Sequence, residues 1–309
     1  MSEVSVARIT FGIIARRRIP ELERLVAHLL SLVPQGEGEV VVAIESSQVS
    51  KPAECADGAA RWIDVPERHG LGYNRNRVID AARGEILVWA DDDCMPQPGW
   101  LESLLAALED PAAAAVAGVL RIPPAGFVGD SISALGFPAG GNAGYATMFV
   151  VRADGTTENL PSGNSAIRLS VLREMGGYDE SMWHGGEDTE LSHRLNVAGK
   201  RIMFAPEAVL EHPARTSIGE FVRWSFRRGR AKREFARRVA IGGYVGQRLG
   251  SFGKILKANA RSAKILLVAP LLVVNLAWQY FGFVAESLSP TPPPAPTPGS
   301  TLGRGFESA

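Results

Sequence analysis

At 309 residues, 46% hydrophobic and 21% charged, the chain is long enough for one large α/β domain or two smaller ones and needs no disulfide or structural metal to hold a core. Its two cysteines, Cys55 and Cys94, lie far apart without metal-ligand spacing, which argues against a disulfide framework or zinc module and fits a reducing, cytosolic setting. The formal charge of zero conceals a basic run: Arg215 to Lys264 holds 14 Lys/Arg against two acids, a local +12 that leaves −12 elsewhere, and such asymmetry points to a partner surface.

In chain order, Met1 to Arg8 lacks a basic region leading into an apolar run, so no signal peptide is expected. Val4 to Phe11 reads as a strand. Pro20 opens a helix with Leu22, Leu25, Val26, Leu29, Leu30 and Val33 at helical spacing. Val40 to Ile44 and Ile86 to Ala90 are continuous apolar runs of the buried parallel-strand type. Between them Asn74 to Arg83 is expected to be a helix stopped by Gly84, and Trp100 to Leu108 another behind Pro98-Gly99. This alternation predicts a parallel sheet with right-handed crossovers and a ligand edge at the strands' C-terminal ends. From Arg121 to Pro161 the pattern loosens into expected loops and short strands; Glu187 to Ala198 is a helix stopped by Gly199, with short strands at Ile202 to Phe204 and Ala208 to Leu210.

Asp91-Asp92-Asp93 follows the strand Ile86 to Ala90 directly. Two unit charges ~5 Å apart at an effective dielectric of about 20 repel by roughly 3 kcal/mol. Mg²⁺ or Mn²⁺, which prefer oxygen ligands and keep positions open for phosphate, would offset that. Strand alternation sends Asp91 and Asp93 one way and Asp92 the other. The competing reading is a solvated acidic turn or a helix cap. Glu187-Asp188 behind Gly185-Gly186 starts a helix, where one acid satisfies the N-terminal dipole and the second stays free as a general base; that role falls to Asp188. In Glu211-His212-Pro213 the imidazole is either a further metal ligand or an ordinary packed histidine.

These residues resemble family 2 glycosyltransferases of the GT-A fold, over Val4 to Arg233 and in the family's order. The resemblance lies in Pro20 to Leu25, Asn74-Arg75-Asn76-Arg77, Ala81 to Glu85, the acidic triplet with Pro98-Gly99-Trp100-Leu101, Ser162 to Arg168, Gly176-Gly177-Tyr178-Asp179-Glu180, and Glu187-Asp188 through Leu195. It implies an inverting, metal-dependent transfer from a nucleotide-sugar donor. Catalysis would fall to Asp188 with Glu187, donor binding to Glu45, Arg75, Asp91, Asp92 and Asp93, acceptor binding to Gly163, Asn164 and Trp224, and the cation to Asp91, Asp93 and His212. Two departures stand out. Ala15-Arg16-Arg17-Arg18 and Glu45 occupy the turn and acid where members dock the nucleoside, and Phe221-Val222-Arg223-Trp224 lacks the Gln that precedes Arg-Trp in processive synthases, which favours a single addition. Trp224 either stacks on an acceptor sugar or packs near a membrane.

Beyond the basic run, Ile265 to Ala285 is 21 residues without a charge. As a helix it would be about 31 Å long, enough to cross a bilayer. Lys254, Lys257, Arg261 and Lys264 interleave with apolar residues near helical spacing before it, as in a helix lying on an anionic leaflet. The segments expected are a GT-A catalytic domain over 1–214, a basic amphipathic linker or helices over 215–264, a transmembrane or membrane-embedded helix over 265–286, with a helix packed on the main domain or in a dimer interface as its alternative, and a Pro-rich disordered tail over 287–309. The enzyme is expected on the cytoplasmic face of the cell membrane, acting on a lipid-linked or envelope-polysaccharide acceptor and not on nucleic acid. The competing classes are a non-catalytic membrane-associated sugar-binding adaptor and a GT-A-fold nucleotidyltransferase.

Overall fold

Seven consecutive buried residues make β1 (Ile9–Ala15), the strand about which the sheet is built. The computed structural model describes residues 9–15, 20–34, 37–45, 60–65, 69–138, 140–239 and 242–289, the stretch 242–249 by its backbone alone. The expectations for Arg16-Arg17-Arg18, Cys55, the apolar side chains of 241–249 and the tail beyond 289 lie outside the described residues.

After β1 come α1 (Pro20–Ser31), β2 (Gly38–Glu45), β3 (Ala60–Val65), α2 (Leu71–Ala81) and β4 (Ile86–Ala90). Leu22, Leu25, Val26 and Leu29 of α1 are buried at the predicted spacing. β5 (Met95–Pro96), α3 (Trp100–Ala107), β6 (Ala113–Arg121), α4 (Gly126–Ala134), α5 (Tyr145–Met148) and β7 (Thr156–Thr157) follow. β8 (Asn164–Arg168), α6 (Leu169–Glu174), α7 (Glu187–Val197) and β9 (Arg201–Glu211) complete the sheet domain, and α8 (Ile218–Ala236), α9 (Gly242–Asn259) and α10 (Ile265–Leu288) form a helical layer.

The sheet order is β3-β2-β1-β4-β8-β6-β9-β5, with β7 on β9. β3, β2, β1 and β4 are mutually parallel, whereas β8 runs antiparallel between β4 and β6. β6 and β9 are again parallel. Because β8 alone is reversed among these, its beginning meets the end of β4, where Ala90 pairs with Asn164, while the parallel β6 and β9 end together with Arg121 beside Glu211. The residues after β2, β4 and β9 and those before β8 therefore converge on one edge. Apolar clusters cover both faces, one under α1 and α3 around Phe11, Val88 and Trp100, the other under α2 and α7 around Trp89, Tyr178 and Leu191.

The structure departs from the sequence expectations in four places. β3 and the alanine-rich β6 are strands that hydrophobic periodicity does not announce. The stretch 121–161 holds α4 and α5 rather than loops and short strands alone. The two short strands expected after α7 are one, β9. The hydrophobic segment expected over 265–286 runs on as a helix to Leu288, two residues into the expected disordered tail. α10 lies alongside α8 and also meets α4 and α9, around Ile132, Phe221, Val268, Leu271 and Leu272.

Candidate active site

Asp91, Asp92 and Asp93 follow β4 in a tight turn, closed by the Cys94 N–H donating to the Asp91 carbonyl at 3.1 Å. The Asp91 N–H donates to the Gly163 carbonyl at 3.3 Å, and a Cβ at Gly163 would collide with the Asp91 carboxylate. Gly163 therefore shapes the acidic corner by its lack of a side chain. Asn164, expected on the acceptor side, is buried and its side chain is engaged: Oδ1 accepts from Trp100 Nε1, and Nδ2 donates to the Val119 and Ala208 carbonyls, each at 2.8 Å. It ties β8 to β6 and β9.

His212 arrives on the same edge because its N–H continues the β6–β9 ladder, donating to the Arg121 carbonyl at 3.0 Å. His212 Nδ1 lies 2.7 Å from the Pro213 carbonyl, an acceptor only, so Nδ1 carries the proton and Nε2 is left as an acceptor. That Nε2 faces Asp93 Oδ1 at 3.3 Å, while Arg215 donates to Asp93 Oδ2 at 2.8 Å. Arg215 also lies 3.5 Å from His212 Nε2, so its guanidinium meets both groups; the oxygen and imidazole donors gathered here fit a hard divalent cation. Asp91, Cys94 and His212 also bring one potential ligand atom each within 4.8 Å of one another. Burial, reinforced by the three acids, pushes the Cys94 thiol well above its usual range, so oxygen and imidazole are the fitting donors here. Burial also raises the Asp91 carboxyl, against the pull of Arg75 and His212; Asp93 and Asp188 raise it further, which puts Asp188 within the electrostatic reach of the triplet.

α2 organises the other half of the site through consecutive side chains. Asn74 donates to Glu45 at the end of β2 at 3.2 Å; Arg75 forms a buried ion pair with Glu187; Asn76 bonds both the carbonyl and the N–H of Tyr178, each at 2.9 Å. The Arg75 guanidinium also lies over the rings of Trp89 and Tyr178, at 5.8 and 5.4 Å from their centroids. Tyr178 in turn meets Ser162 at 3.0 Å through its hydroxyl, which burial pushes up to about 12. The loop from Gly176 to Asp188 is thus bound to α2 on one side. On the other, α8 and the turn after it hold the loop: Glu234 accepts from His184, and Arg238 pairs with Asp179 at 2.7 Å.

Within this frame the adjacent acids at the start of α7 differ. Gly185 and Gly186, at φ 94° and 93°, turn the chain in a conformation that side chains resist, and both acids follow at once. Glu187 is buried against Arg75, and burial raises its carboxyl while Arg75 opposes the rise. Arg75 is buried and engaged with Glu187 and the two rings. Asp188 is half-buried, with Oδ1 accepting from the Thr189 N–H at 2.7 Å. Glu45 is fully buried beneath Asn74, Asp92 is half-buried in the acidic turn, and Trp224 packs with its ring centroid 4.1 Å from that of Phe137. Sequence reasoning missed Arg215 as a partner of Asp93; its position three residues after His212 was the available signal, hidden in the basic run.

Known proteins share this architecture. The structure of the mannosyltransferase PcManGT from Pyrobaculum calidifontis, in complex with GDP-Man and Mn2+, superposes with a TM-score of 0.62 at 18% identity, covering 92% of this chain and 88% of that one. GalNAc-T7 with UDP, GalNAc and Mn2+ gives 0.54 at 15% identity, over 85% of this chain and 59% of that one. Both likenesses establish the GT-A fold. In sequence, 69% of the chain aligns at 31% identity with 44% of the "Pre-mycofactocin glycosyltransferase" of Mycobacterium tuberculosis (strain ATCC 25618 / H37Rv). Another 26% identical alignment covers 64% of this chain and 64% of "Glycosyltransferase AglE" from Haloferax volcanii, so the chain spans less than two thirds of the length of either relative. The model of glycosyl transferase family 2 matches residues 10–176, more than half of the chain, and the chain belongs to that family.

Proposed function

We propose that this protein is an inverting glycosyltransferase that moves one sugar from a nucleotide-sugar donor to a hydroxyl of a lipid-linked or polysaccharide acceptor. The observation that carries the reading is the convergence, on one sheet edge, of Asp91, Asp93 and His212 with the half-buried carboxylate of Asp188. Asp91, Asp93 and His212 would hold a divalent cation, which when bound neutralises the donor diphosphate. Structural relatives carrying GDP-Man or UDP with Mn2+ support this choice of donor and ion. A relative called "Glucosyl-dolichyl phosphate glucuronosyltransferase", 27% identical over 184 residues, supports a lipid-linked acceptor.

Asp188 takes the proton of the acceptor hydroxyl as its oxygen bonds to the sugar's anomeric carbon; the bond from that carbon to the diphosphate oxygen breaks, and the nucleoside diphosphate leaves with the electron pair. Attack opposite the leaving group inverts the anomeric centre. The Arg75–Glu187 pair holds the first turn of α7 so that Asp188 stays aimed at the triplet, and Glu45 with Asn74 forms the floor on the nucleoside side. A thermal-shift screen of UDP, GDP and dTDP sugars, with Mn²⁺ or with chelator, tests the reading, because a ligand that binds the native state raises Tm by linkage. One donor class should stabilise the protein only with the ion; no stabilisation by any nucleotide sugar would overturn the assignment.

A further inference from the structure

α10 presents two unlike faces. Its inner face is docked along its whole length. Lys264 bridges to Asp130 of α4 at 3.3 Å at one end; Val268, Leu271 and Leu272 enter a core with Ile132 and Phe221. Further along, Ser225 of α8 donates to Asn275 at 3.0 Å, and Arg230 and Arg237 hold the buried Glu286 at 2.9 and 3.1 Å. Gly229 and Gly282 let the two backbones touch: a Cβ on either would collide with the opposite helix. The outer face is bare and apolar, with Leu266 at 76% exposure, Val273 at 66%, Tyr280 at 65% and Leu288 at 83%, and Phe281 and Val284 between them. These recur at helical spacing over a stripe about 33 Å long.

This geometry is incompatible with α10 crossing a bilayer by itself. Crossing would either strip Asn275 and Glu286 of their partners in hydrocarbon or drag in α8, which carries Arg223, Arg227, Arg228, Arg230, Lys232 and Arg233. The helices bordering the stripe supply cations to solvent: Arg223 and Arg227 on α8, Lys254 and Lys257 on α9, and Arg261 in the turn before α10. Of the three acids in 218–289, Glu234 and Glu286 are buried and paired, leaving Glu220 as the exposed one. A second copy docked on the same face would bring two such cationic borders together; an anionic lipid surface would meet them with opposite charge.

We infer that α10 lies in the plane of an anionic bilayer, with its outer stripe in the acyl boundary and the cations of α8 and α9 among the headgroups, so that the protein rides on one leaflet without crossing it. The inference stands apart from the transferase reading, since vesicle binding is read without donor or acceptor.

The test uses the full chain with phosphatidylcholine vesicles, with and without phosphatidylglycerol. Flotation is expected only with the anionic lipid and should fall as salt rises. Lys254→Glu with Lys257→Glu should weaken binding by about tenfold or more, from roughly 1 kcal/mol per basic residue near the surface. Val273→Asp with Tyr280→Asp should abolish binding while leaving Tm unchanged, because both side chains face solvent. Tryptophans placed singly at Leu266, Val273 and Leu288 should be quenched alike by shallow brominated lipid. A deep position at Val273 with shallow ends would mean a spanning helix and overturn the inference. So would absence of flotation, or a dimer in solution that Val273→Asp with Tyr280→Asp dissolves without any lipid binding.

Discussion

The sheet edge and the helical layer both gather charge, and they treat it in opposite ways. In the layer, each buried acid has cationic or imidazole partners: Glu286 has Arg230 and Arg237, and Glu234 has His184. At the edge, Arg215 meets both Asp93 and His212 Nε2, and Asp188 stands half-buried beside the triplet of acids. Charge matched pair by pair fixes geometry; an excess of acids over bases is what binds ions and moves protons. Arg75–Glu187 is the piece of the first kind inserted into the second, holding the helix start that carries Asp188.

That contrast breaks if the two acids at the start of α7 prove interchangeable. Asp188→Asn should lower the transfer rate ~10²–10⁴-fold, as expected for loss of a general base, with stability within about 0.5 kcal/mol of the parent in chemical denaturation. Arg75→Met should act the other way, costing about 3–5 kcal/mol of stability because Glu187 is left buried and alone. Pairing it with Glu187→Met should recover most of that loss, and equal instability of the single and double variants would contradict a charge-pair role.

The helical layer offers smaller effects on stability alone. Gly229→Ala pushes a methyl group into the backbone of Gln279 and should cost ~1–3 kcal/mol, read from the denaturation midpoint with donor binding intact. Ser217 caps α8, its hydroxyl accepting from the Glu220 N–H at 3.3 Å; Ser217→Ala should cost about 1 kcal/mol. A larger loss in donor binding than in stability from either change would mean that the layer shapes the site directly.

The parts of the site that sequence exposes are local ones. Three acids after a strand and two after a glycine pair declare themselves within a few residues, because β4 and α7 are short-range structures. What stays hidden is set by partners distant in the chain: Arg75 and Glu187 are 112 positions apart, and only folding shows that they neutralise each other. Asn164 reads as a polar loop residue until β6 and β9 supply carbonyls for its amide. The alanines of β6 carry little periodic signal, and their burial on both faces becomes visible only between β8 and β9. Likewise 21 uncharged residues describe a bilayer span and a docked helix equally well; only the fold shows Asn275 and Glu286 turned toward α8.

The division of labour at the sheet edge is tested most directly by calorimetry of donor binding, with and without Mn²⁺, on the parent, Asp93→Asn and Asp188→Asn proteins side by side. Asp188→Asn should bind the donor like the parent, and Asp93→Asn should lose on the order of 10–100-fold of the Mn²⁺-dependent affinity. Parent-like, Mn²⁺-dependent binding by Asp93→Asn, or loss of donor binding in Asp188→Asn, would contradict the account.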